Sequence, residues 1–170
     1  MNLLILTRLA LAHRKTGKLE LELTTLSDAF EERLLDLATL CRQQASLLVF
    51  VTLCSRLRAG QSLFERLRGA ETSVYFAPYL HIDSVVELHD AYNKVIRKVA
   101  RRFDAPVIDV EATIPTQRKY FYDSMHLRKL GGQLLARAMV HKLLGNPTFM
   151  QLADDKTNCV REDRPAIGNR

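Results

Sequence analysis

The segment SLLVFVTL, residues 46–53, carries apolar side chains on both of its alternating faces and is rich in branched residues. A strand with one wet face alternates apolar with polar residues, whereas a strand covered by helices on both faces is apolar throughout. We therefore predict a buried strand here, of the kind that lies inside a parallel sheet. A second short apolar run, APVIDV at 105–110, has the same character.

Helices are predicted around and between these strands. Apolar residues return every three or four positions in three stretches, which is the period of a helix with one buried face. The predicted helices span about 25–44, with Thr25 or Ser27 as the N-cap, 85–103 and 128–144, and a shorter one lies near 63–67. Because helices alternate with buried strands, the pattern predicts an α/β domain with a mainly parallel sheet.

The two ends of the chain are interpreted separately from this domain, which covers residues 26–144. Residues 1–25 are predicted to form a short amphipathic helix and a half-exposed edge strand, KLELELT at 18–24, and residues 145–170 a loose polar tail. No run of 18 apolar residues occurs, so no membrane span is predicted. The first residues do not have the charge order or cleavage site of a signal peptide, and a cytoplasmic location is the default expectation.

The composition and the cysteine pattern limit the kinds of functional site that the sequence predicts. The 170 residues are 47% hydrophobic, which suits one globular domain. The three cysteines, Cys41, Cys54 and Cys159, lack the spacing of a zinc site or a disulfide framework, so we expect reduced thiols and neither a metal nor a cofactor.

The net charge of +6 raises the question of a nucleic-acid partner. The basic residues are densest on one predicted helix, at Lys94, Arg97, Lys98, Arg101 and Arg102. Neither interleaved aromatic residues nor a recognisable nucleic-acid-binding motif accompanies these basic residues. A solvated helix face is therefore the preferred interpretation, and no nucleic acid is expected.

The pair Asp123 and His126 is the strongest chemical signal. It follows the strand that ends near Val110, and ligand and catalytic groups gather at the carboxyl ends of parallel strands. At a helix start, residues i and i+3 share a face, so the carboxylate can accept from one ring nitrogen and leave the other as a base. The alternative is that Asp123 is only a helix N-cap with His126 in the first turn.

Two glycines, Gly131 and Gly132, lie inside the predicted helix that follows this pair. Each costs about 1 kcal/mol relative to alanine in a helix. We therefore predict that the start of this helix packs closely against neighbouring backbone.

The segment FYDSMHLRKLGGQLLARAM, residues 121–139, resembles the closing segment of the SGNH (GDSL-type) esterase and lipase family. The shared positions are an aromatic residue, Asp-x-x-His, a leucine, a glycine and an alanine, filled here by Phe121, Asp123, His126, Leu127, Gly131 and Ala136. Upstream, LLVFVTL and AYNKVIRKVARRFDAPVIDV are similar to the family's later strand, its long helix with Tyr-Asn near the start, and its last short strand.

The resemblance covers about residues 26–144 and implies a three-layer α/β/α fold. It also implies hydrolysis of a small-molecule ester, acyl or lipid-like, by a Ser-His-Asp triad. Asp123 would be the orienting acid of that triad and His126 its general base.

The chain departs from the family because it contains neither Gly-Asp-Ser, which holds the nucleophile, nor Gly-x-Asn-Asp, which supplies an oxyanion donor. We therefore expect the C-terminal part of such a domain, lacking the N-terminal strands and either truncated or degenerate, and nearly inert alone. The alternative is a non-catalytic interaction subunit that completes its sheet with a partner chain or in a dimer.

The sequence also contains weaker candidates for site residues. Ser62, in AGQSLFERL at 59–67, and Cys54 or Ser55, at the end of the first predicted strand, are substitute nucleophiles. His81 and Asp83 are predicted in a loop that borders the cleft of the Asp123–His126 site. The remaining histidines are interpreted as surface helix residues, and they are His13, His89 and His141.

Overall fold

The computed structural model describes residues 21–77 and 79–162. In chain order the elements are α1 Leu23–Gln44, β1 Phe50–Val51, α2 Leu63–Gly69, α3 Glu71–Phe76, α4 Ile82–Arg102, β2 Val107–Ile108, α5 Val110–Thr113, α6 Lys129–Leu144 and α7 Pro147–Glu162. The molecule is mostly helical with one small parallel sheet, which confirms an α/β fold in the coarse sense. Within the described ranges, no helix has the length and apolar character that crossing a membrane requires.

The sheet consists of β1 and β2 in the residues that the structure describes, and the two strands are parallel. Phe50 pairs with Val107, and Val51 pairs with Ile108. The backbone N–H of Phe50 donates to the carbonyl of Pro106 at 2.9 Å, and that of Thr52 to Ile108 at 3.1 Å. Both strands are shorter than the apolar segments 46–53 and 105–110 that predict them. Among the described residues, each strand pairs along one edge only.

One buried cluster joins this sheet to α1 and α4. It contains Phe50 of β1, Ala38 of α1 and four residues of α4: Val95, Ile96, Val99 and Ala100. At its end the rings of Phe30 and Tyr92 stack with centroids 4.2 Å apart. The apolar stripes that the sequence predicts on these two helices thus face each other and the sheet.

A second cluster joins β2 to α6. Ile108, Val110, Ile114 and Phe121 are buried together, and side chains of α6 pack on them: Leu134, Leu135, Ala138 and Met139. A third, smaller cluster of Leu57, Ala70, Ile82 and Val86 connects the end of α2 with α4. The segment between β2 and α6 is therefore fixed by its apolar residues, although it contains little regular structure.

The predicted start of the first helix is wrong. The helix begins at Leu23, and its N-cap residue Glu22 makes no side-chain capping bond, so Thr25 and Ser27 lie inside the helix. Consequently residues 21–24 do not form the predicted strand 18–24. Residues 18–20 lie outside the described part of the chain. The physical reason is that the helical period of three to four residues extends back to Leu23 through Leu26.

The predicted loose tail is also wrong for residues 147–162, which form α7 packed against α6. Pro147 begins this helix instead of ending the previous one, because the first helical position needs no N–H donor. Asn146 caps it, as its side-chain oxygen accepts from the backbone N–H of Phe149 at 2.9 Å. The predicted first helix, with His13, and the end of the tail lie outside the described residues.

Candidate functional site

Asp123 and His126 lie in a tight loop ahead of α6, residues 120–128, which we call the acid–base loop. Phe121 and Leu127 form an antiparallel bridge across it. The N–H of Tyr122 donates to the carbonyl of His126 at 2.8 Å, and that of Arg128 to Tyr120 at 2.8 Å. The prediction of a shared helix face is therefore wrong, since α6 begins only at Lys129.

The loop nevertheless brings the two side chains together. Nδ1 of His126 lies 2.7 Å from Oδ2 of Asp123, while Oδ1 of Asp123 accepts from the backbone N–H groups of Met125 and His126, each at 2.8 Å. A carboxylate can only accept, so Nδ1 of the neutral ring must carry its proton. Nε2 is then unprotonated, on a side chain that is 78% exposed.

Opposing influences act on the pKa of Asp123. Burial raises it, but hydrogen bonds from the backbone of His126 and Met125 and from the His126 ring together outweigh burial, so the pKa lies below its ordinary value. The carboxylate is therefore ionised at neutral pH. It can hold the ring in one tautomer and stabilise an imidazolium.

A buried serine anchors the acid–base loop to the chain that leaves β1. Ser124 is only 3% exposed. Its carbonyl accepts from the N–H of Arg56 at 2.8 Å and from Oγ of Ser55 at 3.3 Å, and its hydroxyl lies 3.1 Å from that of Ser73 in α3. These contacts place the pair beside the chain that leaves the carboxyl end of β1, which agrees with the predicted position at the carboxyl edge of the sheet.

Close packing at the start of α6 is confirmed for one of the two glycines. A Cβ on Gly131 would lie 2.4 Å from the carbonyl oxygen of Tyr120 and 3.0 Å from a methyl group of Leu127. A Cβ on Gly132 would meet nothing within 4 Å. Gly131 therefore lets α6 touch the backbone of the acid–base loop.

Ser62 is occupied as a helix cap. Its hydroxyl accepts from the N–H of Glu65 at 3.3 Å and donates to the carboxylate of Glu65 at 2.8 Å, and that carboxylate also accepts from the N–H of Ser62. This is a reciprocal capping box at the start of α2. The hydroxyl is hydrogen-bonded to a carboxylate of its own helix, without the imidazole that would activate a nucleophile.

Cys54 and Ser55 are equally unsuited to attack. Burial raises the pKa of the Cys54 thiol more than the nearby guanidinium of Arg58 lowers it, and a protonated thiol is a poor nucleophile. The hydroxyl of Ser55 is buried, donates to Ser124 and accepts from the N–H of Leu57 at 3.0 Å. Cys41 and Cys54 are free thiols.

His81 and Asp83 do not lie in a loop. His81 is the N-cap residue of α4 and Asp83 is in its first turn, where the carboxylate pairs with Arg66. The loop prediction failed because the helical period extends back to Ile82, which is buried. Neither residue forms a hydrogen bond or an ion pair with the acid–base loop among the described residues.

The surface interpretation of His89 is wrong, while His141 is exposed on α6 as predicted. Nδ1 of His89 is buried without a hydrogen-bond partner, and burial, followed by the charge of Arg58, lowers the pKa of the ring. The sequence did hold the signal, because His89 lies three residues from Val86 and four from Asn93, both on the buried face of α4.

Asn93 has a role that reasoning from the sequence did not assign. It is buried in α4, and its amide makes two bonds with the backbone of Leu53: Oδ1 accepts from the N–H at 2.7 Å and Nδ2 donates to the carbonyl at 3.1 Å. These are the bonds that a neighbouring strand would make. A buried asparagine on an otherwise apolar helix face is the signal for such a role.

The basic cluster on α4 is partly neutralised. The guanidinium of Arg97 donates to Asp109 at 3.0 and 3.1 Å and to Glu111 at 2.7 Å, and Lys98 pairs with Glu31 at 2.8 Å. Arg97 therefore links α4 to the residues that follow β2. Its side chain is committed to this network and not presented to a phosphate.

Among the described residues, no group of three or more His, Cys, Asp or Glu side chains could hold a metal ion. Comparisons of the chain with protein-family models, curated proteins and solved structures found no match. The residues themselves therefore carry the functional argument.

Proposed function

We propose that this chain is the later part of an SGNH-type ester hydrolase, in which Asp123 and His126 form the acid–base half of a Ser-His-Asp triad. The observation that carries the proposal is the 2.7 Å contact between Nδ1 of His126 and Oδ2 of Asp123. It fixes the tautomer that leaves Nε2 as a base facing solvent. The substrate class is a small acyl or lipid-like ester.

In the proposed reaction His126 moves a proton and Asp123 does not. Nε2 takes the proton of a serine hydroxyl as its oxygen attacks the ester carbonyl, and the Asp123 carboxylate stabilises the imidazolium that forms. The imidazolium then protonates the departing alcohol. Water, activated by the same nitrogen, releases the acid and restores the serine.

In this proposal the serine and the oxyanion donors are supplied by strands that are not part of these 170 residues, since Gly-Asp-Ser and Gly-x-Asn-Asp do not occur in the sequence. We propose that the complete domain has three layers, α/β/α. Two contacts support this: Phe50 packs with α1 and α4, whereas Ile108 packs with α6. Further strands would join β1 along the edge that does not face β2.

The first test uses the chain alone. Without its nucleophile, and without oxyanion donors that are each worth about 2.7–4 kcal/mol, the acid–base pair has little to activate. We expect no turnover of a short-chain aryl ester above that of the His126→Ala variant. Clear His126-dependent turnover would contradict the absence of the nucleophile and direct attention back to Ser62 or Cys54.

The second test supplies the missing half. The strands that bear Gly-Asp-Ser and Gly-x-Asn-Asp, taken from an active SGNH hydrolase, are fused ahead of α1 or expressed alongside this chain. We expect ester hydrolysis that falls by about 10³-fold or more in His126→Ala and Asp123→Ala. His141→Ala, on the exposed face of α6, is the matched control. A folded assembly with His126-independent activity, or with none, would refute the proposal.

A second function is favoured by a separate observation. Val51 is 38% exposed, and β1 has no partner strand on its other edge among the described residues. Such an edge can accept a strand from another chain. The chain would then be a non-catalytic interaction subunit, and the distinguishing result is a stable complex whose ester turnover is unchanged by His126→Ala.

A further inference from the structure

The strand β1 and the residues beside it have one edge that faces β2 and one that does not. The N–H groups of Phe50 and Thr52 donate to carbonyls on the β2 side, at 2.9 and 3.1 Å. Successive residues of a strand direct their backbone N–H and C=O groups to opposite edges. The backbone groups of Val49, Val51 and Leu53 therefore point to the edge that faces away from β2.

This second edge is closed at Leu53. Both backbone groups of Leu53 are occupied by the carboxamide of Asn93, since Oδ1 accepts from the N–H at 2.7 Å and Nδ2 donates to the carbonyl at 3.1 Å. Asn93 is 1% exposed and belongs to α4, which packs on β1 through Val95 and Val99. One donor and one acceptor are what the peptide group of a paired strand would offer. A further strand cannot pair at Leu53 while this side chain is in place.

The same edge is open at Val49 and Val51. Neither residue forms a backbone hydrogen bond on that side among the residues that the structure describes. Such groups are complemented by the backbone of another extended segment. Phe50 packs with α1 and α4, whereas Val49 packs on the cluster that joins β2 to α6. A strand beside β1 would therefore lie between the same helix layers and be apolar on both faces.

We propose that Asn93 is an edge stop, which limits the pairing of β1 with a further strand to Val49 and Val51. The incoming chain then turns away level with Leu53. Because α1, α4 and α6 already cover both faces of the sheet, the open edge lies where a wider sheet of the same domain would continue. We therefore assign the incoming strand to the missing half of the domain. This assignment rests on the proposed function, whereas the closure of the edge at Leu53 does not.

The edge stop has a consequence for the acid–base loop. The loop is anchored just beyond Leu53, where the N–H of Arg56 donates to the carbonyl of Ser124 at 2.8 Å. If the incoming strand continued past Leu53, it would run along the chain that holds this anchor. By ending the pairing at Val51, Asn93 leaves the space beside the loop to the residues that follow the incoming strand.

Amide hydrogen exchange of the 170-residue chain, measured by NMR, tests the edge stop without a partner. We expect the amide of Leu53 to be protected about tenfold or more relative to that of Val51, although both point to the same edge. Asn93→Ala should abolish this difference and leave Thr52, which is bonded to β2, protected. Asn146→Ala, which removes the asparagine that caps α7, is the matched control and should preserve the difference.

Equal protection of Leu53 and Val51 in the wild type would overturn the edge stop, and this comparison holds even if Asn93→Ala fails to fold. An equal loss of protection at Leu53 and Thr52 in a folded Asn93→Ala variant would also overturn it, because Asn93 would then support only the fold.

The same measurement in the assembly that carries the missing half tests the partner. We expect Val49 and Val51 to gain about tenfold or more protection, while that of Leu53 stays unchanged. A folded assembly in which the two valines stay unprotected, or in which the side-chain amide of Asn93 is released, would overturn the proposed pairing. Protection that rises with the concentration of the chain alone would assign the edge to a second copy instead. Protected valines without ester turnover would refute the hydrolase alone.

Discussion

At the residue scale, Asp123 divides its two oxygens between two tasks. Oδ1 accepts from two backbone N–H groups and closes the turn, while Oδ2 accepts from the ring of His126. The carboxylate is therefore fixed by the backbone before it acts on the ring. A residue that shapes a loop and also orients an imidazole cannot be replaced by one that performs only one of these tasks.

The first prediction concerns Asp123→Ala. Without the acceptor at Nδ1, the neutral ring of His126 should no longer be confined to the tautomer protonated there, and two-bond ¹H–¹⁵N spectra report the change. His141, exposed on α6, provides the internal reference. A wild-type His126 ring that is already mostly protonated at Nε2 would contradict the proposed role of Asp123.

The second prediction is that Asp123→Ala lacks the pH-dependent contribution that Asp123 makes to the stability of the wild-type fold. Because the pKa of Asp123 in the folded chain lies below its ordinary value of 3.8, ionised Asp123 stabilises the fold above that value. This contribution is lost as the pH falls through the lowered pKa. Urea unfolding should therefore separate wild type from Asp123→Ala at pH 7, with the difference shrinking below pH 3.8.

The two glycines of α6 give a matched pair of substitutions. Gly131→Ala puts a methyl group against the carbonyl of Tyr120 and should destabilise the fold by about 1–3 kcal/mol. Gly132→Ala meets open space and should be neutral or stabilise by up to about 1 kcal/mol. Chemical unfolding measures both. Equal effects would mean that contact with the acid–base loop is not what requires Gly131.

At the element scale, helix starts were harder to predict than helix bodies. The apolar stripes of α1, α4 and α6 are where the sequence places them, because burial imposes a period over many residues. The predicted start of α1 is wrong because a cap is a single local contact that a short alternating run can imitate, and α7 as a whole is not predicted because its polar sequence indicates a tail. The strands were overextended because the length of a strand depends on its neighbours.

The element-scale prediction concerns α2. Ser62→Ala removes the capping box and should cost about 0.5–2 kcal/mol of stability. In the assembly that carries the missing half, this variant should leave ester turnover unchanged at a temperature where it is folded. Loss of turnover without loss of stability would instead revive Ser62 as a nucleophile.

At the scale of the whole molecule, β1 has one edge without a partner strand among the described residues. An unpaired edge next to exposed apolar side chains favours association with other chains. Val51→Lys should therefore reduce self-association of the 170-residue chain, measured by sedimentation at increasing concentration. Leu40→Lys makes the same charge change on the exposed face of α1 and is the control. An equal effect of both variants would point to general solubility instead of the edge.

The site was predictable in part at this scale. The contact of Asp123 with His126 and its position at the carboxyl edge of the sheet are as predicted, although the pair lies in a loop and not on a helix face. The hydrogen bond between Ser55 and Ser124 is not predicted, because the two residues are far apart in sequence and have no periodic pattern. Only the folded chain brings such residues together.

The bridge between Phe121 and Leu127 has a consequence for assembly. The contacts that hold Asp123 against His126 come from residues of the same loop, and the loop is anchored to other residues of this chain, so the conformational entropy of ordering the pair is lost when the chain folds. A separately made serine-bearing half would need to order only its own nucleophile. In the proposed hydrolase, preorganisation of this kind reduces the entropy that association of the two polypeptides must overcome.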